Sequence, residues 1–129
     1  MPARVVDASV VAARFFIEPR SAEAETLLRG HRLFAPDILR YELAGVALHK
    51  LNLSSAANQT IRDNLHDALR LPIRLIRVSV QGILNVALEA ELTTYDASYL
   101  FLARRLKCPL ATFDRKLARA AERESLLAR

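Results

Sequence analysis

With 129 residues, 52% of them hydrophobic and only 3 glycines, the chain is the size of one ordinary domain with enough apolar side chains for a core. That excludes a disordered segment and a pair of linker-joined domains, and a single domain over residues 1–129 is expected. Nineteen Lys and Arg against 14 Asp and Glu leave a net charge of +5, which suits an anionic partner such as nucleic acid and equally a well-solvated surface.

Ala3–Val6 (ARVV) reads as a short buried strand. Ser9–Phe16 (SVVAARFF) follows as a helix stopped near Glu18-Pro19. Residues 21–30 form a second helix with Ser21 as N-cap and Gly30 as its stop. Arg32–Ala35 is a second strand, and residues 37–50 a strong helix that Asp37 is placed to cap. A helix over residues 54–71 has Ser54 or Ser55 as its cap and ends before Pro72. Ile73–Val78 is a third strand. Residues 79–92 are helical with Ser79 as cap, residues 93–107 form a further helix, Pro109–Thr112 a fourth strand and residues 114–124 the last helix. Ser125–Arg129 can close a short edge strand.

Short apolar strands alternating with helices predict an α/β fold: a mainly parallel sheet of four or five strands covered by helices on both faces. In such sheets, ligand sites form at the carboxyl ends of the strands, where strand order reverses. No run approaches the ~18 apolar residues of a membrane span, and Met-Pro-Ala-Arg leads directly into the first strand, so neither a signal peptide nor a membrane association is expected. The one cysteine, Cys108, rules out an internal disulfide and a cysteine-based zinc site, and a buried reduced thiol fits a cytoplasmic protein.

Four acids occupy informative positions. Asp7 directly follows the first strand and Asp114 follows the fourth, so both meet on one edge if those strands are neighbours. Asp96 falls in the first turn of its helix. Glu42 falls between Ile38 and Val46 at 100° per residue and points along an apolar stripe. A buried Glu needs a partner, either a nearby Arg or a cation. Asp7 and Asp114 can each cap the following helix, and Thr93-x-x-Asp96 has capping-box spacing with Asp in place of Glu or Gln. Capping leaves unexplained why all four acids lie at strand ends or face inward.

If the four converge, two carboxylates ~4 Å apart repel by about 4 kcal/mol at an effective dielectric of 20. Several such pairs rival the roughly 5–15 kcal/mol stability of a whole domain. A converged cluster therefore takes up protons or binds cations, and an all-oxygen site suits Mg²⁺ or Mn²⁺ rather than zinc or copper.

The segments VVDASV, PDILRYELAGVALHK, TTYDASYLFLARRL and LATFDRKLARAA, in this order and spacing, resemble the PIN-domain family, in particular the VapC-type toxins of prokaryotic toxin–antitoxin pairs. The resemblance covers nearly the whole chain. It implies a three-layer PIN-like fold and a Mg²⁺- or Mn²⁺-dependent ribonuclease whose catalytic, metal-binding cluster is Asp7, Glu42, Asp96 and Asp114. Ser9 and Thr112 fall where the family carries supporting hydroxyls. The resemblance further implies an RNA substrate, a small antitoxin partner and a homodimer.

Arg40, Arg115 and Lys116, each near one of these acids in sequence, are candidates for contacting RNA phosphates. Tyr95, Tyr99 and Phe101 read as core rather than as base-stacking platforms. His31, His49 and His66 share no metal-ligand spacing and read as surface or partly packed side chains. GxSxG, P-loop and GxGxxG motifs are absent, and the third strand ends in no aspartate, against a phospho-acceptor domain. The alternative to the nuclease is a non-catalytic PIN-like module that binds nucleic acid or protein, with the same acids serving as helix caps and salt-bridge partners.

Overall fold

A computed structural model describes residues 1–129, the Ser55 side chain excepted. Four strands, β1 (Ala3–Val6), β2 (Arg32–Pro36), β3 (Ile73–Ile76) and β4 (Leu110–Ala111), form one sheet in the order β3-β2-β1-β4. Every neighbour pair is parallel, with Val5 opposite both Phe34 and Leu110. β1 is central, and its carboxyl half, Val5 and Val6, is fully buried, while Arg4 before it is only partly covered. β3 lies at an edge and is more open, with Arg74 and Leu75 both exposed between partly buried Ile73 and Ile76.

The connections are α1 (Ala8–Phe15) and α2 (Ser21–Leu28) after β1, then α3 (Leu39–Leu53), a 3-10 turn at Ser55–Ala57 and α4 (Asn58–Arg70) after β2. α5 (Val80–Ala90) and α6 (Thr94–Leu106) follow β3, and α7 (Arg115–Arg123) follows β4. The first two crossovers step from β1 towards β3. The third returns past β1 to β4, so with right-handed crossovers α5 and α6 cover the opposite face from α1–α4. The result is a three-layer α/β fold. Strand order reverses between β1 and β4, and the carboxyl ends of those two strands form the switch point.

The core runs through both layers. α6 contributes the most buried residues of any helix, with Ala97, Ser98, Tyr99, Leu100, Leu102 and Ala103 all inside. Cys108 is buried and reduced, and among the described residues no helix is long and apolar enough to cross a membrane.

Several expected boundaries shift. Asp37 does not cap α3, whose N-cap is Ile38 with no side-chain bond. Ser21 is the first residue of α2, behind Arg20, instead of its cap. α4 starts at Asn58 behind Ala57, later than a cap at Ser54 or Ser55 requires; the Ser55 side chain lies outside the described residues. In each case the chain enters the helix through a short turn that presents no side-chain oxygen to the first free N–H groups. Ser79, by contrast, accepts from the Gly82 N–H as expected. β3 stops at Ile76, and β4 is trimmed to two residues because Pro109 has no N–H to give and Thr112 turns towards the site. The C-terminal segment touches the sheet at one bridge, Leu110 to Leu127, parallel to β4. Tyr95, expected in the core, is exposed.

α5 meets α6 at its only glycine. A Cβ on Gly82 would lie 2.9 Å from Phe101 Cζ and 3.0 Å from Cδ2, with Cε2 nearer still. Alanine ordinarily gains about 1 kcal/mol over glycine in a helix, but the clash costs about 1–3 kcal/mol. Thermal denaturation is therefore expected to show Gly82→Ala less stable than wild type, and Gly82→Ala more stable than Gly82 when both are placed in a Phe101→Leu background.

Candidate active site

The switch point gathers polar side chains around Asp7. This residue directly follows β1 and caps α1, and it is 4% exposed. Oδ1 accepts from the Ser9 N–H at 3.0 Å, the Val10 N–H at 3.4 Å and the Ser9 hydroxyl at 2.5 Å. Oδ2 accepts from the Thr112 hydroxyl at 2.6 Å. The same hydroxyls reach onward: Ser9 Oγ accepts from the Phe113 N–H at 2.9 Å, and Thr112 Oγ1 accepts from the Asp114 N–H at 3.0 Å. Asp7 thereby joins the β1–α1 corner to the β4–α7 corner. Burial pushes its pKa up to about 6, against the pull of the Ser9, Thr112 and backbone hydrogen bonds.

Asp114 caps α7, its Oδ2 accepting from the Leu117 N–H at 2.8 Å, and its side chain faces solvent. Asp96 stands half-buried in the first turn of α6, where Thr93 Oγ1 accepts from its N–H at 3.1 Å. Its pKa is raised by burial first and by the charge of Asp114 second, while Thr93 and Lys116 act the other way. Glu42, in the first turn of α3, is also half-buried. Its carboxyl is raised by burial, lowered by a hydrogen bond from Tyr99 and raised again by the charge of Asp96. The acids thus sense one another in a chain from Glu42 through Asp96 to Asp114.

Tyr99 is the residue that the sequence left in the core. It is 1% exposed, yet its hydroxyl donates to Glu42 Oε1 at 2.5 Å. Burial and the neighbouring charges of Glu42 and Asp7 raise its pKa far above the usual tyrosine value, so it stays protonated and remains a donor. The available signal was its spacing from Asp96, three residues on along one helical face.

None of the four acids is in a salt bridge among the described residues. Six of the eight glutamates are: Glu18, Glu23, Glu25, Glu89, Glu122 and Glu124, each with an Arg or Lys. The expected alternative for Glu42, an Arg partner, is therefore not what the structure shows. Unpaired carboxylates with oxygen-only chemistry at a strand-order switch fit a hard divalent cation. Among the described residues, no three acids, histidines or cysteines close into a ready coordination shell.

The basic candidates separate. Lys116 is near enough to Asp96 for its charge to act there. Arg115 lines a neighbouring cavity with Thr112, Phe113 and Arg20, whose guanidinium lies 3.7 Å from the Phe113 ring centre. Arg40, about 200° around α3 from Glu42, lines a different groove with Leu43, Ala68 and Leu75. His49 and His66 are exposed and His31 is partly packed.

Fold and site together define a parallel α/β protein with carboxylates gathered at its switch point. The chain belongs to the PIN domain family, whose sequence profile matches residues 4–123. It is 30% identical over 119 residues to ribonuclease VapC3 of Pyrobaculum aerophilum, a match spanning 88% of this chain and 91% of that protein. Its fold matches the crystal structure of PAE2754 from Pyrobaculum aerophilum with a TM-score of 0.76, at 24% identity, over 92% of this chain and 84% of that one. It also matches VapC20 of Mycobacterium tuberculosis, described as a sarcin-ricin loop cleaving toxin, with a TM-score of 0.65 at 17% identity over 92% of this chain and 95% of that one. Within the family the chain is thus similar to VapC-type ribonucleases.

The raised pKa of Asp7 sets the sign of a stability test. A carboxyl whose folded pKa is about 6, against an ordinary 3.8, stabilises the fold most below pH 4 and loses that contribution as pH rises through 6. Asn caps as well as Asp and carries no charge. In a chelator-containing buffer Asp7→Asn is expected to raise stability above pH 7 by roughly 1–3 kcal/mol, the gain shrinking towards pH 4. Denaturant unfolding at several pH values checks this; a variant less stable than wild type at pH 8 contradicts it.

Proposed function

We propose that the protein is an endoribonuclease dependent on Mg²⁺ or Mn²⁺, acting as the toxin of a type II toxin–antitoxin pair. The observation that carries this reading is buried Asp7, tied through Thr112 to Asp114, with the charge of Asp114 acting on Asp96 and that of Asp96 on Glu42, and none of these acids in a salt bridge among the described residues of a basic chain. With these four set aside, 19 Lys and Arg face only ten other acids, so an acidic pocket sits in a surface that attracts RNA phosphates.

Asp7, Glu42, Asp96 and Asp114 would hold the cation, which when bound helps generate hydroxide from water and offsets charge on the phosphate under attack. Ser9 and Thr112 hold Asp7 in a fixed rotation through their hydroxyls, so its oxygens need no rearrangement when substrate arrives. Asp114 and Asp96 are held at helix N-termini, where the local field favours anionic carboxylates. Lys116 and Arg115, beside Asp114, are placed to meet phosphate oxygens next to the site. Arg40 faces another groove and contributes at most to remote RNA contact.

RNA cleavage with Mg²⁺ or Mn²⁺ is the test. Wild type should cut, chelation should stop it, and Asp7→Asn should lower the rate on the order of 10²-fold or more. Equal cleavage by wild type and variant ends the proposal.

One observation favours the second reading, a non-catalytic binding module: Asp7 and Asp114 do cap helices. Capping and ligation are compatible, since a cap uses one carboxylate oxygen. Calorimetric titration with Mn²⁺ separates the readings. Heat that disappears in Asp96→Asn supports the cation site, and no heat in wild type supports the module.

The toxin role brings a small antitoxin, and a neighbouring gene of that kind is the cheapest check. We also propose a homodimer. Val80, Leu84 and Leu88 stand exposed at four-residue spacing on α5, and residues 80–88 carry no charge, so two copies can meet there on the same patch without like-charge repulsion. Light scattering should give twice the monomer mass, and Leu84→Glu should halve it.

A further inference from the structure

We propose that Tyr99 is a positioning residue of the acid cluster, whose buried hydroxyl fixes the rotation of the Glu42 carboxylate and leaves its second oxygen free to take a cation. This rests on the reading of the four acids as a cation site. Tyr99 lies on α6 and Glu42 on α3, 57 residues apart, and the bond between them crosses the carboxyl edge of the sheet at 2.5 Å. Among the described residues, Glu42 Oε2 accepts no hydrogen bond from the protein.

The ring of Tyr99 fills core space that phenylalanine would fill equally well. A hydroxyl buried there is costly unless it has a partner, and its partner is a site acid. The kind of donor matters as much as the bond. Six other glutamates are held by Arg or Lys, which orient them and cancel their charge. Tyr99 orients Glu42 as a neutral donor, so the full negative charge remains for a cation. Asp7 is held in the same manner, by the neutral hydroxyls of Ser9 and Thr112. α6 therefore serves two acids from one face: Asp96 supplies its own carboxylate, and Tyr99, three residues on, sets that of Glu42.

The test is Mn²⁺ titration by calorimetry of wild type, Tyr99→Phe, Glu42→Gln and the double variant, with thermal unfolding in chelator alongside. Tyr99→Phe should unfold within a few degrees of wild type yet bind Mn²⁺ about 10- to 100-fold more weakly. Added to Glu42→Gln, it should cost less than a further twofold. In RNA cleavage it should raise the metal concentration needed for half-maximal rate and leave the KM for RNA unchanged. Wild-type Mn²⁺ affinity in Tyr99→Phe, or losses that multiply in the double variant, overturn the role of Tyr99 alone. No Mn²⁺ binding by wild type overturns the cation site itself, and this role with it. If Tyr99→Phe does not fold, wild type bearing 3-fluorotyrosine is titrated with Mg²⁺ by fluorine NMR. The Tyr99 signal should move while that of exposed Tyr41 stays; a stationary Tyr99 signal overturns the proposal.

Discussion

The buried carboxylate of Asp7 is the constraint around which the carboxyl edge of the sheet is organised. A buried anion must be satisfied by donors, and here they come from both sides of the switch point: Ser9 with its backbone from the β1–α1 corner, and Thr112 from the end of β4. Because Ser9 and Thr112 each use a second atom-to-atom bond to hold Phe113 and Asp114, the position of Asp114 follows from that of Asp7. Moving either corner would break bonds in a site that water barely reaches. A β4 of only two residues is enough because this polar stitch continues the β1–β4 pairing beyond the ladder.

That arrangement costs stability. Asp7 is pushed up to about 6 because burial outweighs four donors, Glu42 is raised by burial and the charge of Asp96, and Asp96 by burial and the charge of Asp114. Six other glutamates pair with Arg or Lys near the surface, where ion pairs are worth little, about 0–1 kcal/mol. The chain therefore spends its arginines on acids that hardly need them and withholds them from the acids that do. A fold selected only for stability would place an arginine beside Glu42; neutral donors keep the charge uncancelled and the geometry fixed, which is what the proposed cation site would require.

Local chemistry was legible in the sequence and long-range chemistry was not. Asp7, Ser79, Thr93 and Asp114 cap helices as their spacing implies, because capping joins residues two or three positions apart. Ser21 and Asp37 have the right residue type but not the role, because a cap also depends on the backbone angles with which the chain enters the helix. The inward direction of Glu42 follows from helical periodicity alone. Its partner does not, since Tyr99 is 57 residues away and an apolar-looking aromatic in a periodic helix reads as core. Tyr95 fails in the opposite sense, because α6 turns that position outward against no covering element.

The order of the strands carries acids far apart in sequence to one edge of the sheet. Right-handed crossovers carry α3 to one face of the sheet and α6 to the other, yet both helices begin near the carboxyl edge, with Glu42 and Asp96 in their first turns. First turns are where a helix favours an anion, so each carboxylate sits where its own backbone tolerates the charge that its neighbours oppose. Tyr99 is one turn deeper along α6 and spans the gap between the layers. The cluster is thus a product of topology, helix electrostatics and one cross-layer hydrogen bond, and of these the hydrogen bond is the part that a single methodical substitution, hydroxyl to hydrogen, removes without disturbing the other two.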